Sequence, residues 1–566
     1  MQKINFKKIR ILSSFIFFLI TLFTSYSLGE IFYNSIDGTD FYRYFKYIEY
    51  FRGDIDSPSR EQGVFYFWII ALMIEGSQNF FLADKWEYIY STAIQLGNFI
   101  LYLIGIIGFI LLMRFKKINW EKIFLTLSVL NFLPPVFGGR LIMKPEVLAF
   151  TLLPWVLLSL YNYFENKNKT SLILSMPLLA VLATSKGSIA LISFVALLVI
   201  FSPYINRLNF QDLIFPFIVF LVSFYLIFSE NIAINNVSLF NHEEESGYLF
   251  KAPIAFIYQI NITDLTFNPF RNNHSNSLIG ITLIDLFGDY FNRYWDNPRS
   301  IFIKDRINLL DFLPNQRRNV SVILSILFIF FSFKKPDKFT LIYFFGIVVV
   351  TLTSLGLFGL HFNPLKGDTV KTHYYFFLIA ISFIFIFSKY LNNKKFYFQI
   401  FKSIILITLF LFILGFPKNY SQETKDLLSN KIPTTVTCSI SKSYFKNLLQ
   451  DDIQCLNKEI ATCGFSESYN KPIEHEDGYL IFTNDEFFNP VNLNDKNGFK
   501  VTVNGYAECL HYVNGGYFYN NGYFNLDRLP KTNNAYIYIC IISILGILKI
   551  TNSKKYKLST LSFFNF

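Results

Sequence analysis

Apolar stretches separated by short polar segments run along the whole chain. A helix needs about 20 mostly apolar residues to cross a bilayer, so these stretches predict roughly twelve membrane spans. They fall at 11–28, 88–113, 123–137, 147–164, 172–183, 189–201, 213–228, 320–333, 340–360, 375–387, 398–416 and 535–548. The run at 123–137 carries Pro134-Pro135. Those at 172–183 and 189–201 are short for a crossing, which implies tilt or a locally thinned bundle. The run at 65–74 is shorter still and is expected to dip into the outer leaflet or pack on the bundle.

Lys and Arg give the orientation, because basic flanks stay on the cytoplasmic side. Lys3, Lys7, Lys8 and Arg10 precede the first span; Arg114, Lys116 and Lys117 follow the second. Lys167, Lys169, Arg207, Lys334, Lys335, Lys338, Lys394, Lys395, Lys549, Lys554 and Lys555 continue the series. Alternating the spans places nearly all of these clusters inside, with both termini inside. One miscounted span would break the pattern. Segments 29–87, 229–318 and 417–533 then face out, and 25–30 is a poor match to a small-x-small cleavage site, so the first span is expected to be retained.

The first outer segment organises the rest. Asp37 and Asp40 emerge directly after span one, close to the membrane surface. Phe41, Tyr44, Phe45, Ile48 and Phe51 then recur at helical spacing, with Arg43, Lys46, Glu49 and Arg52 between them, the pattern of a helix lying in the interface. A carboxylate held there could deprotonate an acceptor. A turn at Asp37-Gly38 with Asp40 as helix cap is the plainer alternative.

Composition agrees with a polytopic membrane protein. The 566 residues are 52% hydrophobic and 16% charged, where soluble domains carry about 25% charge. The net charge of +11 reflects the short inner loops and does not indicate nucleic acid. The 69 Phe and 35 Tyr fit an AT-rich coding bias, so aromatic stripes carry little functional weight. No Walker A, GxGxxG or nucleophile elbow occurs in a usable context, so ATP-driven transport is unsupported.

Several basic residues fall on the outer side against the trend: Arg140, Lys144, Lys186, and Lys371 with His373. A polyprenyl phosphate or diphosphate would give them a purpose, Arg binding it bidentately and Lys as a point charge. Snorkelling to headgroups, or a local pair such as Lys144 with Glu146, is the competing explanation. Lys186 is the sharpest case, wedged between two apolar runs. Arg60 and Glu61, with Asp289 and Trp295 in an aromatic and acidic stretch of the long loop, are candidate sugar or acceptor contacts; an interfacial aromatic anchor is the alternative. His242-Glu243-Glu244-Glu245 could touch a divalent metal but reads better as a solvated acidic turn, and no cofactor is required by the sequence. Cys438, Cys455, Cys463 and Cys509 all fall in the outer C-terminal region and read as two disulfides of undetermined pairing, while Cys540 is in the last span. Alternating runs such as 479–482 and 500–503 point to a small β-containing fold there.

Asp40-Phe41-Tyr42-Arg43-Tyr44 resembles the Asp-Glu-x-Arg-Tyr stretch in the first outer loop of the GT-C superfamily, membrane glycosyltransferases that use lipid-phosphate-linked sugars. The order of parts is similar over about the first half of the chain. Phe41 stands where the second acid is usual, so Asp37 would serve instead, or one carboxylate would suffice. The resemblance implies an enzyme moving a sugar from a polyprenyl-linked donor to a lipid, glycan or protein acceptor, with Asp40 as base or acceptor-positioning group. It also implies a multi-pass protein of a bacterial inner membrane with a periplasmic site. The expected fold is an all-α polytopic bundle over 1–416, a disulfide-linked extracytoplasmic domain of α/β or β-containing type over 417–533, and a last span and tail over 534–566. A glycan polymerase or ligase, relying on Arg293 or His373, is the main alternative. A lipid or solute transporter ranks below it, since Pro134-Pro135 has no matching helix break in the second half.

Overall fold

In the computed structural model, the described residues are 6–32, 44, 47–48, 50–51, 63–78, 86–235, 279–280, 283, 286–287, 314–334, 339, 375–391, 395–414, 473–474, 479–481, 491–492 and 534–551. Their helices are α1 (Phe6–Phe32), α2 (Phe65–Gln78), α3 (Trp86–Phe115), α4 (Trp120–Leu130), α5 (Pro134–Leu141), α6 (Glu146–Asn166), α7 (Lys169–Ser185) and α8 (Gly187–Phe201). A 3-10 turn at Ser202–Arg207 leads to α9 (Phe210–Asn235), followed by α10 (Pro314–Lys334), α11 (Phe376–Tyr390), α12 (Phe396–Leu414) and α13 (Asn534–Thr551). Six of the described helices are long and apolar enough to cross a membrane, or seven if a bent pair counts as one span. The run at 340–360 lies outside the described residues, so the twelve-span count does too.

The bundle is built on α3 and α6, which pack along their length. Gly105 allows the approach: a Cβ there would sit 2.8 Å from the Phe150 ring. Small residues at such contacts let two helices come close where lipid offers no competing hydrophobic drive. Side chains then bond across the seam, Thr151 Oγ1 donating to Leu101 O at 3.1 Å and Trp155 Nε1 to Ile104 O at 3.1 Å.

The expected third span is not one straight helix. Pro134 and Pro135 occupy the first positions of α5, and α4 and α5 meet at 64°. Proline suits the first helical turn, where its missing N–H costs nothing, and disfavours continuation of the helix before it. Interrupted backbone at this depth is tolerated because it is buried in protein. All of α5, from Pro134 to Leu141, is buried.

Contacts along α6 show how the next helices run. Near its end, Asn162 Nδ2 donates to Ser171 Oγ at 2.6 Å, so α7 turns back against α6. Phe164 and Phe201 stack at 5.2 Å at that same end, while Glu146 and Lys186 meet at 2.7 Å at the other. Thus α8 runs parallel to α6, and α7 and α8 form a hairpin turning at Lys186. The turn residue is extended (φ −165, ψ 141) and belongs to neither helix.

One end of the bundle gathers the basic clusters. Arg10 bonds Glu121 at 2.8 Å, Lys116 lies 3.6 Å from the Tyr161 ring centroid, Lys167 Nζ donates to Arg207 O, and Lys169 pairs with Asp212 at 2.6 Å. Arg10 also lies over Phe396 at the start of α12. Clusters separated by over a hundred residues, all expected inside, therefore share one end.

Of the helix expected after Asp40, the described residues pack on protein. Tyr44, Tyr47, Ile48 and Phe51 are helical and fully buried against α2, with Tyr47 stacked on Phe67 at 4.7 Å. The short run at 65–74 likewise packs on the bundle: Phe65, Tyr66, Phe67, Ile70 and Ile74 are core residues. In the C-terminal region, fragments β1 (Ile473–Glu474), β2 (Tyr479–Ile481) and β3 (Val491–Asn492) pair antiparallel in that order. Cys438, Cys455, Cys463 and Cys509 lie outside the described residues; Cys540 is half-buried in α13.

Candidate functional site

The end opposite the basic clusters holds Arg140, Lys144, Glu146 and Lys186. Pro145 caps α6, and a short turned link, in which Lys144 N–H donates to Ile142 O at 2.9 Å, carries Lys144 between α5 and α6. Arg140, Lys144 and Glu146 are 3%, 6% and 1% exposed. Buried charge is costly without partners, so each demands an accounting.

Arg140 is accounted for on α1. It donates to Ser25 Oγ at 3.1 Å and Ser25 O at 2.8 Å, and its guanidinium lies 5.2 to 5.6 Å from the ring centroids of Phe99, Tyr102 and Phe137. Tyr102 in turn donates to Asn131 Oδ1 at 2.7 Å, and Asn131 Nδ2 to Thr21 Oγ1 at 3.1 Å. The result is a polar network tying α1, α3 and the α4–α5 bend together. Planar, weakly hydrated guanidinium suits such a stacked and bidentate position.

Lys186 is accounted for on α6. Its Nζ donates to Glu146 Oε1 at 2.7 Å, with side chains 14% and 2% exposed. The local pair expected for Glu146 was Lys144; the pairing on display comes from forty residues away. The turn that presents Lys186 is braced by α2. Gly63 N–H donates to Ser185 O at 2.8 Å, and a Cβ at Gly63 would collide with the Thr184 carbonyl and Ser185 backbone. Only glycine admits that approach. One turn into α2, Tyr66 Oη donates to Asn98 Oδ1 at 2.7 Å, and Asn98 Nδ2 to Ile142 O at 3.0 Å.

Four stretches therefore converge: 63–66, 98, 142–146 and 184–186. Tyr44, four residues past Asp40, lies in the same apolar cluster as Val64, Tyr66, Met143 and Val147. Tyr375, two residues past His373, is buried at the start of α11, whose Phe376 stacks on Phe150 at 5.9 Å. Asp37, Asp40, Arg60, Glu61, Asp289, Trp295, Lys371 and His373 themselves lie outside the described residues. Among the described residues, no group of three or more His, Cys, Asp or Glu could hold a metal ion.

Tyr66 and Asn98 were not singled out by pattern, and Glu146 only as a local partner for Lys144. Asn98 carried a readable signal, being with Gln95 one of two amides inside the apolar run 88–113, where a polar group needs a partner. Tyr66 carried none, since it sits beside residues of ordinary type for a helix end.

No family model, curated protein or solved structure matches the chain. What the fold and these contacts define is a helical membrane protein with a buried ionic cluster at one end.

Proposed function

We propose that the chain is a membrane glycosyltransferase that moves a sugar from a polyprenyl-phosphate donor to an acceptor hydroxyl at the outer face. Asp40 takes the hydroxyl proton as the acceptor oxygen attacks the anomeric carbon. The bond from that carbon to the phosphate oxygen breaks, and its electron pair leaves with the polyprenyl phosphate. Lys186 and Lys144 hold that phosphate as its charge grows. Attack from the face opposite the leaving group inverts the anomeric centre.

The observation that supports this reading is the Lys186–Glu146 pair. It is nearly buried at the non-basic end, beside the residues that anchor the segment following Asp40. Arg140 already has partners on α1, so its part in the proposal is to hold the bundle wall.

The test is transfer by purified protein in proteoliposomes, using a panel of labelled polyprenyl-phosphate sugars. Asp40→Asn is expected to lose roughly a hundredfold or more of the rate, the usual scale of a general base. Full activity in that variant, with normal folding, rules the assignment out.

A further inference from the structure

A second site lies at the other end of the molecule and does not depend on the function proposed above. Between α10, α11 and α12 runs a groove of about 490 Å³, walled by Leu324, Phe328, Phe383, Phe387, Leu406 and Phe410. That volume is within the ~300–1,000 Å³ of ordinary ligand sites. Three lysines line one end of it: Lys334 closes α10, Lys389 is in the last turn of α11, and Lys402 is near the start of α12. This is the basic end of the bundle. Phe339, just past α10, stacks on Phe385 at 4.1 Å and receives Lys116 5.5 Å from its ring centroid.

The dimensions match half a bilayer. From Lys334 back to Leu324 along α10 is about 15 Å at the helical rise, which is half of the roughly 30 Å hydrocarbon core. Lys402 is held across the mouth, its Nζ donating to Tyr390 O at 3.3 Å and lying 4.4 Å from the Tyr390 ring centroid. An ammonium has further N–H donors to offer a headgroup. Generic lipid would wet an apolar groove, but it would not explain three cations at one end of it.

We propose that the groove binds one anionic diacyl phospholipid of the cytoplasmic leaflet, an acyl chain lying along the aromatic wall and the phosphate lying among Lys334, Lys389 and Lys402. Near a membrane surface each basic residue contributes about fivefold to attraction of anionic lipid, or roughly a hundredfold for three.

Native mass spectrometry of the full chain, released from micelles with equal phosphatidylglycerol and phosphatidylcholine, tests this. Wild type is expected to retain one phosphatidylglycerol in preference to phosphatidylcholine. The triple variant K334Q/K389Q/K402Q is expected to lose that preference by about a hundredfold, while the triple Lys→Arg variant keeps it. Leu406→Trp, which fills the groove, is expected to lose the bound lipid at an unchanged unfolding midpoint. Equal retention of the two lipids by wild type overturns the proposal, as does an undiminished preference in the triple Gln variant. Preferential retention of added polyprenyl phosphate over phosphatidylglycerol also overturns it.

Discussion

At the basic end Lys169 meets Asp212 at 2.6 Å with side chains 66% and 8% exposed; at the opposite end Lys186 meets Glu146 at 2.7 Å with side chains 14% and 2% exposed. The distances are nearly the same and the physics is not. Water screens the exposed Lys169, and Asp212 keeps the Tyr163 hydroxyl when the lysine is lost, so the first pair contributes little. The second pair has given up most of its hydration, and each member depends on the other. Charges at the basic end are those expected to orient the chain in the membrane. Charges at the other end cost free energy to place, and the fold retains them in contact.

Removing one member of the buried pair should show this most strongly. Glu146→Ala is expected to destabilise the purified protein by about 3–5 kcal/mol, because Lys186 is left without its carboxylate. The double variant with Leu at 146 and Met at 186 should recover most of the loss. A double variant no better than the single one would mean that the two side chains are not coupled.

Arg140→Ala comes next. It removes charge-assisted bonds to Ser25 and the stacking on three rings, for an expected cost of about 3 kcal/mol in unfolding measurements. Donor-lipid affinity should stay unchanged in that variant, and a large loss of affinity would return Arg140 to the phosphate site.

Tyr66→Phe is milder. It leaves the buried Asn98 amide short of one donor, an expected loss of about 1–2 kcal/mol by the same assay. No change would mean that Asn98 finds another donor.

Sequence pattern carried the large features well and the contacts unevenly. Apolar runs and basic clusters were enough to put Arg10, Lys116, Lys169 and Arg207 at one end, because bilayer thickness and charge asymmetry act on whole segments. Lys186 was legible for the same reason, as a charge isolated between apolar runs. Its partner was not, since Lys144 is nearer to Glu146 in sequence and only the α7–α8 hairpin brings Lys186 closer in space. Pro134-Pro135 was legible as a helix break, and proline there opens a new helix at 64° to the one before it. Tyr47 was absent from the expected apolar stripe, yet it is buried against Phe67. Tyr44, Ile48 and Phe51 of that stripe are buried as well, so the packed face is the expected one widened by Tyr47.

The most direct measurement sets the two ends against each other in one experiment. Binding of polyprenyl phosphate to the purified chain is titrated for wild type, Lys186→Gln and Lys169→Gln, with unfolding midpoints recorded for all three. Lys186→Gln should weaken binding about tenfold or more, while Lys169→Gln binds and unfolds like wild type. Equal affinity in the two variants would contradict a phosphate site at the buried ionic end.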